Sequence, residues 1–294
     1  MRGVRGFSIP ELLVAISLGL IVVGAVFVSY AGALTASRFQ RASSEMAESA
    51  MLALSLIRRD LLLAAYVHPE SVTANRFVPI NPVVRNRPVF GCAFGFVRGN
   101  EAVGMGACVN GAARSDAIEI NFEATLHNAD RDGTNRLTDC QGAALDDPAT
   151  PGVPAAPADA STRIPSSHRY FVRVSPATGI PELVCASAQS PAQVLVSHVQ
   201  ELQITYGVAD GWDPGVPATQ RAVRYVRGDD VAAWPDVVAV RLCVLMLSDG
   251  PVLRADEAQT HFYIDCDGAP QMSADRLLRR AYLTTVSLRN RELR

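Results

Sequence analysis

The chain has 294 residues with a net charge of −2 at neutral pH, and 49% of its residues are hydrophobic. This length is enough for one large domain or two ordinary ones with a substantial core. All 27 basic residues are arginines scattered along the sequence, so the composition gives no indication of a nucleic-acid-binding surface.

The first predicted element is a long helix that starts beside Glu11. No charged residue occurs from 12 to 37, and about 20 apolar residues suffice to span the hydrocarbon core of a bilayer as a helix. Two arginines precede this stretch, which predicts a cytoplasmic N-terminus and an external head. Residues 7–37 are therefore the predicted transmembrane half of the helix. Apolar residues then recur every three or four positions, so 38–66 is predicted to continue it as an amphipathic half.

After residue 66 the pattern changes to short β-type runs separated by prolines. The predicted strands are 89–97, 117–124, 169–175, 194–208, 237–247, 261–265 and 282–289. The segment 146–165 is rich in proline and alanine, and we expect it to be an exposed loop rather than a strand. The sequence thus predicts an α+β fold in which the amphipathic half-helix packs on an antiparallel, β-rich head formed by 67–294.

Six cysteines follow the membrane segment, and their wide, even-numbered spacing indicates disulfides in an oxidising compartment. Six cysteines allow 15 connectivities. We favour bonds between sequence neighbours, namely Cys92 with Cys108, Cys140 with Cys185 and Cys243 with Cys266.

The N-terminal segment resembles the class III signal of type IV pilins and type II secretion pseudopilins. The resemblance rests on Gly6, Phe7 and Glu11, followed by an unbroken apolar helix. It implies that a prepilin peptidase removes the leader 1–6 by cleavage between Gly6 and Phe7, and that Phe7 is N-methylated. It also implies that Glu11 pairs with the N-terminal amine of a neighbouring subunit. Pro10 replaces the family's usual aliphatic residue, although proline is tolerated in a first helical turn.

Physical chemistry gives the same importance to Glu11. Placing an ionised carboxylate at membrane depth costs on the order of several kcal/mol of free energy unless it is paired. An acid at such a position is therefore a candidate functional residue. The alternative is an ordinary secretory signal peptide cleaved after Ala33 in an A-x-A pattern. The long apolar run, with an acid at its start and a helix continuing beyond it, favours the pilin interpretation.

Several local phrases along the head resemble the PilW-type minor pilins. They are 56–61 with 65–66, 91–92, 115–120, 139–142, 199–207, 238–242 and 284–291. The resemblance implies a type IV pilin-like fold and a role in initiating or capping pili, hence in twitching motility and adhesion. Its implied partners are other minor pilins, the major pilin, the prepilin peptidase/methylase and a tip adhesin. Its implied location is the inner membrane with a periplasmic head, and then the pilus.

Two alternatives remain open. A minor pseudopilin of type II secretion has the same signal and architecture. A membrane-tethered periplasmic hydrolase is a function of another class, but the local signatures of common enzymes are missing and the five histidines lie far apart in sequence. We therefore expect no enzymatic activity.

One loop has oxygen donors in the order of a calcium-binding loop. The donors are Asn128, Asp130, Asp132, Thr134 and Asp139, with Gly133 at the sixth position. Asn stands at the first position and Asp rather than Glu at the twelfth. The alternative is an ordinary Asp/Asn/Gly turn between strands. We expect no other cofactor.

Overall fold

The computed structural model describes residues 8–68, 72–73, 76–77, 82–97, 103–109, 115–211, 221–254, 261–273 and 275–290. The chain divides into two compact units, Met1–Glu45 and Met46–Arg294. The long helix α1 (Ile9–Leu63) begins in the first unit and ends in the second, as the sequence predicted. The leader 1–6 and Phe7 lie outside the described residues.

Helix α1 ends through local backbone geometry. Ala65 has φ 64°, a left-handed conformation that commonly terminates helices. The Asn290 Nδ2 then donates to the carbonyl oxygens of Leu62 at 2.8 Å and Ala64 at 3.3 Å. These carbonyls have no partner within the helix, so the side chain from the far end of the chain satisfies them.

The part of α1 in the second unit buries one apolar stripe. Met46, Ala50, Ala53, Ile57 and Leu61 follow one another at helical spacing and are at most 3% exposed. This stripe packs against the antiparallel sheets, and its alanines permit close approach of the strands because they add little bulk.

The described part of the head consists of β-strands, one short α-helix and two 3₁₀ turns, Gly228–Asp230 and Trp234–Asp236. In chain order the elements are β1 (Val72–Thr73), β2 (Arg76–Phe77), α2 (Pro82–Asn86), β3 (Val89–Cys92), β4 (Ala117–Ala124), β5 (Asp146–Asp147), β6 (Thr150–Pro154), β7 (Ile164–Val174), β8 (Pro181–Ser187), β9 (Gln193–Ser197), β10 (Val199–Val208), β11 (Arg224–Val226), β12 (Val237–Leu247), β13 (Phe262–Ile264), β14 (Pro270–Met272) and β15 (Arg279–Ser287).

Two main sheets form from these strands, and all their pairings are antiparallel. One has the order β3-β4-β7-β8-β9 and the other β11-β10-β12-β15. Three hairpins accompany them, β1-β2, β5-β6 and β13-β14. The predicted α+β, pilin-like architecture is confirmed.

Several details of the strand prediction were wrong. The predicted strand 89–97 ends at Cys92, the predicted strand 169–175 starts at Ile164, and the short strands β1, β2, β11 and β14 were not predicted. The run 194–208 is two strands, because His198 adopts φ 63° between β9 and β10. Strand β8 was not predicted. The segment 146–165 is not only loop, since it contains the β5-β6 hairpin and the start of β7. Strand β6 is fully exposed, and prolines are tolerated on such an edge because their missing N–H groups need no partner there.

The two sheets are joined at the start of β4. The Asp116 N–H donates to the Leu202 carbonyl oxygen at 2.7 Å, and the Ile204 N–H donates to Asp116 Oδ2 at 2.7 Å. Nearby, Gly91 of β3 makes room for Tyr206 of β10, since a Cβ at Gly91 would lie 1.8 Å from the tyrosine hydroxyl. Replacing this glycine would therefore require the Tyr206 ring to move.

Candidate functional site

The first unit presents an apolar helical surface. Every residue from 8 to 41 is exposed, including Leu13, Ile21 and Phe27. Helix α1 is long and apolar enough to cross a membrane, with a mean hydropathy of 2.7 in its most apolar window. So large an exposed apolar surface indicates a lipid or protein environment for this segment.

Polar hydroxyls within this surface are satisfied by the helix itself. The Ser17 Oγ donates to the Leu13 carbonyl oxygen at 2.8 Å, and the Thr35 Oγ1 donates to that of Ala31 at 3.1 Å. Gly19 and Gly24 have no atom within 4 Å of a built Cβ position, so the surface is open beside them. Such small residues allow another helix to approach closely in a membrane.

Glu11 lies in the first turn of α1 and caps it. Its Oε2 accepts a long hydrogen bond from the Ser8 N–H at 3.5 Å, and the Leu12 N–H donates to the Ser8 carbonyl oxygen at 3.1 Å. This is the Ser-x-x-Glu pattern of a capping box, which was readable in the sequence but not recognised. Pro10 sits inside the first turn, where no N–H partner is required. Gly6 and Phe7 lie outside the described residues, so the cleavage and methylation site stays a prediction.

Three disulfides hold the head together. They are Cys92–Cys108, Cys140–Cys185 and Cys243–Cys266, which are the bonds between sequence neighbours. Cys140–Cys185 ties a loop to β8, and Cys243–Cys266 ties the β13-β14 hairpin to β12. Each bond closes a loop and thereby restricts the unfolded chain.

The carboxylate oxygens of Asp132 and Asp139 in the candidate calcium loop accept hydrogen bonds that stabilise turns. Asp132 Oδ1 accepts from the Arg136 N–H at 2.9 Å, and from the hydroxyl and the N–H of Thr134, each at 2.8 Å. The Arg136 N–H, followed by the Thr134 hydroxyl, is the main cause that lowers the pKa of Asp132. Asp139 Oδ1 accepts from Gln141 and Ala143, and its Oδ2 accepts from the Ser187 hydroxyl.

The three remaining candidate ligands also have protein partners. The Thr134 hydroxyl donates to Asp132 Oδ1 at 2.8 Å. Asn128 Oδ1 accepts from the Thr125 N–H at 2.7 Å, and Asp130 Oδ2 accepts from Arg59 Nη1 at 2.8 Å. Within the described ranges, no group of three or more His, Cys, Asp or Glu residues could hold a metal ion. The geometry favours the turn interpretation, and calcium binding stays a prediction.

A buried polar cluster connects the end of α1 to β7. Asp60 Oδ2 lies 2.6 Å from His168 Nδ1 and accepts from the Tyr170 hydroxyl at 2.5 Å. The three side chains are at most 3% exposed. Burial alone would raise the pKa of Asp60, but the interactions with His168, Tyr170 and Arg59 lower it overall. Burial, reinforced by Asp60, raises the pKa of Tyr170 well above its ordinary value.

The same cluster has the residue types of a hydrolytic triad. Ser166 Oγ lies 3.3 Å from His168 Nε2, and the imidazole faces Asp60 on its other side. Ser166 is only 1% exposed, however, and the Tyr170 hydroxyl binds the same carboxylate oxygen as the imidazole. A substrate would have to reach a serine in the core, so this arrangement supports a structural role.

The geometry therefore combines an apolar helix headed by an acid with a disulfide-bonded, antiparallel head. The chain matches the Prokaryotic N-terminal methylation motif over residues 1–27 and the Type IV Pilus-assembly protein W family over 169–290. Residues 169–290 are thus similar to the PilW family of type IV pilus-assembly proteins, and the N-terminus carries the methylation motif. Neither curated proteins nor solved structures gave a significant match.

The two matches together cover about half of the chain. The PilW match starts in β7 and extends through β15, so it includes the whole of the four-stranded sheet. The phrases 199–207 and 238–242 fall inside it, as does 284–291 apart from its last residue, and they lie on or beside β10, β12 and β15. The phrases 56–61, 91–92, 115–120 and 139–142 lie outside both matches.

Proposed function

We propose that this protein is a PilW-type minor pilin that takes part in the initiation of pilus assembly or in capping the pilus tip. The observation that carries the proposal is the exposed apolar part of α1, residues 9–41, with Glu11 in its first turn, attached to a head that matches the pilus-assembly family over 169–290. Before assembly, the helix anchors the protein in the inner membrane and the head faces the periplasm. After assembly, the same apolar surface packs against other minor pilins and the major pilin.

In this proposal, Glu11 sets the register of the subunit. Prepilin peptidase cleaves between Gly6 and Phe7, and the new amine of Phe7 is methylated. The amine of a neighbouring subunit then provides the cation that the carboxylate of Glu11 requires at membrane depth. Ser17, Gly19 and Gly24 allow close lateral contact between helices.

The test is Glu11→Ala in the native organism, with Glu48→Ala as the matched control on an exposed position of the same helix. We expect Glu11→Ala to remain in the membrane fraction but to be largely lost from sheared pili, because its unpaired partner amine disfavours insertion. Glu48→Ala should be incorporated normally. Normal incorporation of Glu11→Ala would contradict the pairing.

Mass spectrometry of the mature protein tests the processing step independently. We expect the chain to begin with a methylated Phe7. A mature chain that begins after Ala33 would contradict both the cleavage assignment and the role of Glu11.

The two alternative functions make different predictions. If the protein is a pseudopilin, its deletion should block exoprotein release and leave twitching intact, whereas a minor pilin gives the reverse. If the protein is a hydrolase, Ser166→Ala should abolish labelling by a serine-reactive probe. We expect no labelling of the wild-type protein, because Ser166 is buried.

A further inference from the structure

An open cavity of about 380 Å³ lies beside the proline-rich segment of the head. Its apolar wall includes Pro148, Pro151, Ile164 and Pro165, and its polar groups include the carboxylates of Asp146 and Asp147. This volume lies within the range of about 300 to 1,000 Å³ that is typical of small-ligand sites. An apolar wall with a few convergent polar groups is also the usual composition of such sites.

The surroundings of the cavity are held in place by covalent and hydrogen bonds. The Cys140–Cys185 disulfide fixes the strand that leads to Ala188 and Gln189, which also line the cavity. Gln141 Nε2 donates to the carbonyl oxygens of Cys185 at 2.8 Å and of Pro191 at 2.9 Å. The wall of the cavity that follows β8 is therefore held in place before a ligand binds.

The two carboxylates each use one oxygen to shape the β5-β6 hairpin. Asp146 Oδ2 accepts from the Gly152 N–H at 2.8 Å, and Asp147 Oδ1 accepts from the Ala149 N–H at 2.8 Å. The second oxygen of each carboxylate has no hydrogen-bond partner among the described residues. None of the described residues that line the cavity is basic. Among these lining residues, the two half-buried carboxylates therefore have no cationic partner.

We propose that this cavity binds a cationic group at the end of an aliphatic chain, that is, an alkyl guanidinium or an alkyl ammonium. The carboxylates provide the partners for the charge, and the proline and isoleucine side chains cover the aliphatic part. An anion would be repelled, and a neutral apolar molecule would leave both carboxylates partly desolvated without a partner. Such a cation occurs in an arginine or lysine side chain of another polypeptide and in free alkylamines.

This site is independent of the pilus role. Most of the residues that form it lie between the two family matches, which end at 27 and begin at 169. Ligand binding and pilus incorporation are measured by different experiments, so the two proposals can fail separately.

The test uses the full chain in detergent micelles and isothermal titration calorimetry. The probes are agmatine, a blocked Ala-Arg-Ala peptide, and the same peptide with citrulline in place of arginine. Citrulline has nearly the shape of arginine but no charge, so the comparison isolates the carboxylate interaction in the unaltered protein. We expect agmatine and the arginine peptide to bind and the citrulline peptide to bind at least about tenfold more weakly.

The variants Asp146→Asn and Asp147→Asn keep an oxygen for the hairpin hydrogen bonds and remove the charge. We expect each to weaken binding of the arginine peptide about three- to tenfold. The matched control is Asp159→Asn, because Asp159 also caps a turn through its carboxylate but does not line the cavity. It should bind the peptide as the wild type does.

The possible outcomes separate cleanly. Binding of agmatine as tight as that of the peptide indicates a free alkyl cation as the ligand, and binding of the peptide alone indicates a side chain of a protein partner. The absence of binding of both cationic probes at millimolar concentration would overturn the proposal. Equal binding of the arginine and citrulline peptides would overturn it as well, and this result does not depend on whether a variant folds.

Discussion

The buried carboxyl of Asp116 should make the stability of the head depend on pH in an unusual way. Its side chain is 2% exposed where the start of β4 meets β10, and burial raises its pKa from 3.8 to about 7, although the Ile204 N–H and Arg227 oppose this shift. Arg227 Nη2 lies 3.6 Å from Asp116 Oδ1 and compensates only in part. Between pH 3.8 and about 7, the folded head therefore keeps the proton on the Asp116 carboxyl, whereas the unfolded chain has already released it.

The sign and the size of the change in unfolding free energy with pH follow from this difference in the pKa of Asp116 between the folded and unfolded states. Because the folded state holds the extra proton, the free energy of unfolding falls as the pH rises through this window and is constant above it. One pKa unit corresponds to about 1.4 kcal/mol, so the contribution of Asp116 should fall by about 2 kcal/mol between about pH 5.5 and about pH 8. Acids with a lowered pKa, such as Asp60, lose their contribution at lower pH and do not act in this window.

The perturbation is Asp116→Asn, which keeps an acceptor for the Ile204 N–H and removes the titrating proton. We expect the difference in unfolding free energy between the two pH values to be about 2 kcal/mol smaller in the variant than in the wild type. The assay is denaturant unfolding of the full chain in micelles, followed by tryptophan fluorescence. Contributions from other titrating groups are common to both proteins and cancel in the comparison.

Asp229→Asn is the matched control, because Asp229 is exposed on the neighbouring 3₁₀ turn. It should retain the wild-type dependence on pH. The reasoning is refuted if Asp116→Asn and the wild type lose stability equally between the two pH values. The same conclusion would follow if Asp229→Asn changed the dependence as much as Asp116→Asn.

Three further predictions concern other parts of the head. Asp60→Ala should lower the free energy of unfolding by about 3 to 5 kcal/mol, since it leaves His168 and Tyr170 buried without their acceptor, and an unchanged denaturation midpoint would contradict this. Asn290→Ala should cost about 1 kcal/mol by leaving two helix carbonyls without a donor, whereas an unaltered value would show that water replaces the amide. Calcium should leave the melting temperature unchanged, because the loop oxygens already hold turns; a rise that Asp132→Ala abolishes would instead identify a calcium site.

Part of the fold could be predicted from local sequence patterns. The strands 117–124 and 237–247 were predicted with the bounds that β4 and β12 have, because their apolar runs are bounded by clear changes in composition. The kink at His198 and the exposed strand β6 depend on backbone geometry and edge position, which leave little trace in hydrophobic periodicity.

The polar contacts of the core were harder to predict because their partners lie far apart in sequence. Asp60 follows Ile57 at helical spacing and so falls on the buried stripe, which was a readable sign of an internal carboxylate. Its partner His168 is 108 residues away, and only the folded chain brings the two together. Glu11, by contrast, could be singled out from the sequence because the long apolar run around it makes an acid conspicuous.

Three buried acids of the head each join two different elements, and this arrangement constrains the fold. Asp60 joins α1 to β7, Asp116 joins the start of β4 to β10, and Glu119 joins β4 to β7. Glu119 stands directly opposite Arg169 in the sheet, and its Oε2 accepts from Arg169 Nε at 2.8 Å, with both side chains fully buried.

Such a pair adds little net stability, since removing two charges from water costs nearly as much as their attraction returns. The ion pair has a larger effect on alternative folds, in which β4 would pair with its neighbours in another register. A slip of β4 by one residue would turn Glu119 to the opposite face of the sheet and separate its carboxylate from the buried Arg169 guanidinium. These buried acids therefore act mainly by penalising other registers and helix positions.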